Sequence, residues 1–319
     1  MRLHLRLPGR LLICLLIPFP VARSPLLAQI PPADFLLSAL KCHPIVFFGD
    51  IHPLAEPKEI VAEVVARQDA SAPLSLLALE IGSDQQPWID AYLASFPEDT
   101  SILLEHSRTL RVHWGASREY LGIYRAAWRW NAAHPADPLR ILAADIRGWP
   151  MTPLTEGMAV GGFVNRDPWM AEAFARELKQ RPAARVLIFM GGYHGLKTVG
   201  GEITIGRVHD RFDRWFAGYL SDGGTPIYSV FTDAVLESGR GASRLYDQLA
   251  PSYPGQNVAV TLDTLSDQIR APLHEVRQAG YHLEFLPLRF TMRHTVDAMV
   301  ILNATRPITV FDGVYDRER

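Results

Sequence analysis

In two short segments of the sequence, a histidine follows a glycine by two or three residues at the point where an apolar run ends. They are GDIH at residues 49–52 and GGYH at residues 191–194. The glycines allow the chain to turn sharply, so that an imidazole can point over the edge of a sheet. Glu80 ends another apolar run. If these segments meet, two imidazoles and carboxylates share one cavity, and the candidate catalytic residues are Asp50, His52, Glu80 and His194.

Such a group of side chains could perform either of two kinds of chemistry. His52, Glu80 and His194 could hold a divalent metal such as zinc, manganese or iron in an open site that keeps a water molecule. Without a metal, one histidine could act as a general base toward water, while the carboxylates fix its tautomer and stabilise the imidazolium. The sequence leaves both mechanisms open.

Four further residues are candidates for substrate binding. Asp145 and Arg147 follow a third apolar run and could bind a carboxylate or phosphate, although a structural ion pair explains them equally well. Trp114 and Tyr193 could line an apolar ligand pocket, with ordinary core packing as the alternative. His209, at the start of a predicted helix, is an additional candidate ligand.

The positions of these residues follow from the predicted elements. Short apolar runs alternate with longer amphipathic segments, which predicts an α/β fold with a mostly parallel sheet flanked by helices. Ligands of such sheets bind at the carboxyl ends of the strands, where the candidate residues lie. The predicted strands are Pro44–Phe48, Leu74–Leu79, Leu139–Ala144, Arg185–Met190, Ile227–Phe231 and Ala298–Leu302. The predicted helices are Pro57–Gln68, Gln85–Ala94, Arg118–Ala133, Pro168–Gln180 and His209–Ser221.

Residues 1–28 have the pattern of a secretory signal peptide. Arginines precede an apolar stretch at residues 11–22, and Ala28 offers a small residue for cleavage. The apolar stretch is short for a membrane span, so we expect a periplasmic or secreted protein without stable membrane insertion after cleavage. Lipoprotein anchoring is not expected, because Ile13 is too large for the position before a lipidated Cys14.

The rest of the chain, residues 29–319, is expected to form a single domain. Its core should lie at about residues 44–235, followed by a less regular C-terminal extension, an edge or lid, at about residues 236–319. The whole chain has 32 Lys and Arg against 34 Asp and Glu, and residues 1–28 hold four arginines and no acid, so cleavage changes the formal net charge from −2 to −6. That charge disfavours a nucleic-acid partner.

Cysteine usage gives one further expectation. Only Cys42 remains after residue 28, which excludes an intramolecular disulfide in the cleaved chain. We expect this thiol to be buried beside the first strand.

The order of the motifs resembles the superfamily that joins the erythromycin esterases, the ChaN-type haem-binding lipoproteins and the Tiki/TraB-type proteins. Besides GDIH and GGYH, the resemblance rests on four features in order along the chain: LALEIGSDQQPWIDAYL at residues 77–93, Trp114, ILAADI at 141–146 and VDAMVILN at 296–303. It covers roughly residues 44–235 and the last of these segments.

The resemblance implies a role for each matching residue. Asp50 stands where the family usually has Glu, His52 at its first essential histidine, Glu80 at its second-strand acid and His194 at its later histidine. It implies a hydrolase of esterase or metal-dependent peptidase type, in which His52 activates water against an ester or amide of a small molecule or peptide. The alternatives are a haem or iron-ligand binding protein without turnover, and a member that keeps the fold without activity.

Overall fold

The computed structural model describes residues 30–109, 114–149, 166–205, 208–234, 250–262, 275–278, 281–286 and 291–310. The predicted signal peptide lies outside these ranges, as does about half of the predicted C-terminal extension. The described chain has the predicted α/β fold, with a seven-stranded sheet, helices around it and a less regular C-terminal region. Among the described residues, no helix is both long enough and apolar enough to cross a bilayer.

The strands and helices are named in chain order. The strands are β1 Ile45–Asp50, β2 Leu76–Gly82, β3 Arg140–Asp145, β4 Val186–Gly191, β5 Gly200–Ile205, β6 Val208–Phe212, β7 Tyr228–Ala234, β8 Val258–Thr261, β9 Glu275–Gln278, β10 Tyr281–Leu286 and β11 Ala298–Leu302. The helices are α1 Pro32–Cys42, α2 Glu56–Arg67, α3 Gln86–Ala94, α4 Thr100–Thr109, α5 Arg118–Ala133, α6 Asp167–Gln180, α7 Phe216–Asp222 and α8 Met292–Thr295.

The seven-stranded sheet has the order β3–β2–β4–β1–β7–β11–β8, and its strands are parallel except at the β11–β8 edge. The chain runs outward from β1 to β2 and β3 and then returns to place β4 between β2 and β1. Because the direction of winding changes there, the crevice at the carboxyl ends of β1 and β4 is the place where this class of sheet binds ligands.

Two apolar layers cover the two faces of this sheet. Alternate side chains of a strand point to opposite faces, so Val46 and Phe48 pack with α2 and α5 on one face. Ile45 and Phe47 pack with α6 and α7 on the other face. All four side chains are buried, so β1 is covered on both faces, as expected for a parallel strand.

A second, antiparallel sheet has the order β6–β5–β10–β9 and corrects one prediction. Residues 208–212 form β6, and α7 begins only at Phe216, so the predicted helix His209–Ser221 is wrong over its first seven residues. Pairing with β5 decides the conformation, with Asp210 opposite Ile203. His209 contacts Glu202 and Thr204 of β5 through its two ring nitrogens, which lie 2.9 and 3.1 Å from their oxygens, so it is not part of the site described below.

The position of Cys42 corrects a second prediction. Cys42 is the last residue of α1, a helix that the apolar pattern did not reveal, and its side chain is exposed rather than buried beside β1. Helix α1 buries Phe35, Leu36 and Leu40 instead, which leaves its final residue at the surface.

Residues 303–310 form a segment that we call the C-terminal strap. Its backbone pairs with the loop after β1, where Ile308 N–H donates to Pro53 O at 3.0 Å and Ala55 N–H donates to Arg306 O at 2.9 Å. It also reaches the start of α5, where Arg118 N–H donates to Thr309 O at 2.8 Å. The strap therefore joins the loop that carries His52 to the segment that follows Trp114.

Candidate active site

The carboxyl ends of β2, β4 and β1 lie side by side, and the predicted residues meet there. Glu80 is buried near the end of β2, and its Oε2 accepts a 2.6 Å hydrogen bond from Gly191 N–H at the end of β4. The same oxygen lies 3.6 Å from His52 Nε2, and Glu80 Oε1 lies 3.4 Å from His194 Nε2. Glu80 thus stands between the two histidines.

His52 is the more accessible of the two histidines, with 30% of its side chain exposed. Its Nδ1 lies 2.9 Å from Asp50 Oδ2, and the ring stacks on Trp114 with centroids 3.9 Å apart and planes 5° apart. A carboxylate accepts a hydrogen bond, so Nδ1 donates to Asp50, and in the neutral imidazole the lone pair is then on Nε2. The second nitrogen of His52 is therefore available as a base.

A buried lysine, Lys58, contacts both Asp50 and the backbone of His52. Lys58 Nζ donates to Asp50 Oδ1 at 2.5 Å and to the carbonyl oxygens of Ile51 and His52 at 3.1 and 2.8 Å. Its side chain is 0% exposed. Burial lowers the pKa of Lys58, although the negative charge of Asp50 opposes that shift.

Arg166 contacts Oε1 of Glu80, the carboxylate oxygen that faces His194. Its Nε donates to Asp145 Oδ2 at 2.9 Å, and its Nη2 contacts Glu80 Oε1 and lies 3.0 Å from His194 Nε2. Burial acts to raise the pKa of Glu80, but the charges of His194, Arg166 and His52 hold it well below its ordinary value. Burial raises the pKa of Asp145 to about 6, although Arg166 opposes that shift.

His194 is buried and held by a second carboxylate. Its Nδ1 lies 2.7 Å from Oδ1 of Asp167, the first residue of α6, and this oxygen also accepts a 2.6 Å bond from Phe216 N–H. Burial acts to lower the pKa of His194, but Asp167 and Glu80 outweigh it and raise the pKa to about 9. His194 therefore lies between two carboxylates, with Asp167 at Nδ1 and Glu80 at Nε2.

The remaining predicted substrate-binding residues occupy different environments. Tyr193 is half-buried, and its ring packs 6.0 Å from Trp215 and 6.3 Å from Phe231. Arg147 has an exposed side chain, and the guanidinium that pairs with Asp145 belongs to Arg166. Trp114 presents one ring face to His52, so that face is not available to a substrate.

Comparison with solved structures identifies the fold. The chain matches a succinoglycan biosynthesis protein with a TM-score of 0.64 at 10% identity, over 90% of this chain and 96% of that one. It matches a histidine-to-asparagine mutant of the erythromycin esterase EreC, in its open conformation, with a TM-score of 0.57 at 11% identity, over 86% and 93%. The chain has the erythromycin esterase fold.

More distant matches add nothing to this assignment. The ChaN protein of Campylobacter jejuni, solved with cofacial haem, matches with a TM-score of 0.36 at 14% identity, over 62% of this chain and 84% of that one, which is too low to carry an argument. No family model and no curated protein matches the sequence. The matches to the esterase and to the succinoglycan biosynthesis protein therefore establish the fold.

On this erythromycin esterase fold, the expected metal ligands do not fit a metal ion. Among the described residues, no group of three or more His, Cys, Asp or Glu side chains is arranged to hold a cation. The reason is visible at Glu80 and His194, which both contact the positively charged Arg166, so a guanidinium stands where a metal would have to bind.

The sequence did not reveal three charged residues of the site, namely Lys58, Arg166 and Asp167. All three lie at or next to the start of a helix, where charged residues are common and usually solvated. The one available signal was the position of Lys58, three residues before Val61 and so on the apolar face of α2.

Proposed function

We propose that this protein is an exported hydrolase in which His52 activates water against an ester or amide bond. One observation carries the proposal: His52 Nδ1 is held by Asp50, while Nε2 faces Glu80 at 3.6 Å on a side chain that is 30% exposed. A base held in one tautomer by a buried carboxylate, on a side chain that is partly exposed, is suited to removing a proton from water.

The mechanism assigns a separate task to each group. His52 Nε2 takes a proton from water as the water attacks the carbonyl carbon, and Asp50 stabilises the imidazolium that forms. Glu80 Oε2, 3.6 Å from Nε2, adds a second negative charge beside it. His194 lies on the far side of Glu80, and together with Arg166 it keeps that carboxylate ionised. When the intermediate collapses, the proton on Nε2 passes to the leaving group.

Replacement of His52 by alanine tests the proposal. We expect His52→Ala to lower kcat for 4-nitrophenyl esters by about 100-fold or more, with little change in ligand affinity, because proton transfer stabilises only the transition state. His209→Ala, at an exposed position of β6, is the matched control and should keep the parental rate. A His52→Ala protein that hydrolyses these esters at the parental rate would contradict the proposal.

Titration with haemin distinguishes hydrolysis from haem binding. For a hydrolase we expect no sharp Soret band on addition of haemin to the purified protein. A sharp band, together with no turnover of any ester or anilide tested, would instead favour a haem carrier. No band and no turnover would favour a protein that keeps the fold without activity.

A further inference from the structure

Lys58 occupies a position that is unfavourable for a lysine in two ways. It is the third residue of α2, and a cation in the first turn of a helix faces the positive end of the helix dipole. Its side chain is also completely buried, which removes the ammonium from water. The neighbouring residues Ile60, Val61, Val64 and Val65 are apolar and buried, so the helix itself has no need for a charge at residue 58.

A structural ion pair explains this lysine poorly. Replacing a buried ion pair by apolar residues of similar volume is often neutral or stabilising, so the Lys58–Asp50 pair is not required for stability alone. The ammonium also makes two bonds that a simple ion pair would not make, to the carbonyl oxygens of Ile51 and His52. Three donors are thus directed at one carboxylate and at the backbone that carries the base.

We propose that Lys58 is a positioning residue for catalysis, which holds Asp50 against Nδ1 of His52, so that Lys58, Asp50 and His52 act as one unit. This inference rests on the proposed role of His52 as the base. Lys58 donates to Asp50 Oδ1 and His52 contacts Asp50 Oδ2, so each carboxylate oxygen has its own partner. The two carbonyl contacts fix the backbone between the acid and the base.

Loss of the ammonium would change the tautomer of His52. A buried carboxylate without a cationic partner takes up a proton and becomes neutral. A neutral Asp50 then donates its O–H to Nδ1, which leaves the ring proton on Nε2. Water would face an N–H instead of a lone pair, and the base would be lost while the fold remained.

The test compares three lysine variants by hydrolysis of 4-nitrophenyl acetate. Lys58→Met removes the charge, and Lys58→Gln removes the charge but keeps a donor for Asp50, which protects the test if the methionine variant folds poorly. Both should lower kcat by about 100-fold or more with KM changed less than about threefold. Lys41→Met is the matched control, because Lys41 is exposed and pairs only loosely with Asp69 at 3.7 Å, and it should keep the parental kcat.

A second readout does not depend on turnover. Two-bond 1H–15N spectra of the histidine rings should show His52 as the Nδ1–H tautomer in the parental protein and in Lys41→Met, and as the Nε2–H tautomer in both Lys58 variants. Folded Lys58 variants with the parental tautomer and the parental kcat would overturn the proposal. If no ester is hydrolysed but the tautomer changes as expected, the control of the His52 tautomer by Lys58 stands, and the proposed function fails.

Discussion

Glu80 is the side chain that links the two histidines, and its environment shows what residue types at strand ends can and cannot predict. The pattern placed Glu80, His52 and His194 at one edge of the sheet, and the structure brings them together. The pattern could not show how the surroundings of the two histidines would differ. That depends on Asp167 and Arg166, two buried neighbours with no spacing signal.

The raised pKa of His194 predicts a loss of stability in alkali. The histidine has an ordinary pKa of 6.5 and a pKa of about 9 in the folded protein, so the folded state binds the proton more tightly. The protonated His194 contributes at most about 3 kcal/mol to the free energy of unfolding. This contribution is complete below pH 6.5 and is lost as the pH rises through 9. We expect the free energy of unfolding in urea to fall over this range.

His194→Gln supplies the control for this measurement, since glutamine cannot titrate. Its free energy of unfolding should depend less on pH between 6.5 and 9 than that of the parental protein. Equal slopes for the two proteins would show that His194 gains no proton affinity on folding.

A side chain at position 191 should crowd His52, the proposed base. An added Cβ at this position would lie 3.2 Å from Glu80 Oε2 and 3.3 Å from His52 Nε2, while the φ angle of −47° suits alanine. Gly191→Ala should therefore fold and lower kcat about tenfold or more, because both groups must move. Gly122→Ala, in an open position of α5, should leave the ester hydrolysis rate unchanged, and equal rates for the two variants would contradict the expectation.

At the level of elements, local patterns predicted the parallel strands well and the second sheet poorly. The five strands from Pro44 to Phe231 are buried apolar runs, and each lies within a few residues of its predicted place. Strand β6 was interpreted as a helix start, because the residues that decide its conformation lie on β5, its partner in the sheet. Pairing between strands is a long-range interaction that a local window does not contain.

The C-terminal strap is an element that the sequence did not predict, and it should affect the site. Ile308→Pro removes the N–H that bonds to Pro53, the residue after His52. We expect a loss of about 1 kcal/mol of stability and a lower kcat, because the loop that carries the base loses an anchor. Ile308→Ala keeps the N–H and should retain the rate, so an equal loss of rate in both variants would rule out the backbone contact as the cause.

At the scale of the whole molecule, the site joins both faces of the sheet. Asp50 and Lys58 come from β1 and α2, whereas Asp167 comes from α6 on the opposite face, and Glu80 lies between these two groups. The fold class and the edge that carries the site followed from alternating runs and strand ends. The same patterns did not predict the charged residues from the two helical layers, because those residues meet only after both layers have packed.

The predicted signal peptide can be tested on the whole chain. We propose that cleavage follows Ala28 and leaves Gln29 as the first residue. This cleavage would preserve Ile30, whose backbone pairs with Ala259 of β8 just before α1 begins. We expect N-terminal sequencing of the protein from the periplasm or medium to begin at Gln29, and an uncleaved chain retained in the cytoplasm would contradict the proposal.

The exposed position of Cys42 has a practical consequence. Its thiol ends α1, immediately before β1 begins at Ile45, whereas the active site lies beyond the other end of that strand. It is also the single cysteine after residue 28. One fluorophore or surface linker could therefore be attached there without blocking access to His52, which makes single-molecule or immobilised assays of this protein feasible without engineering a new attachment point.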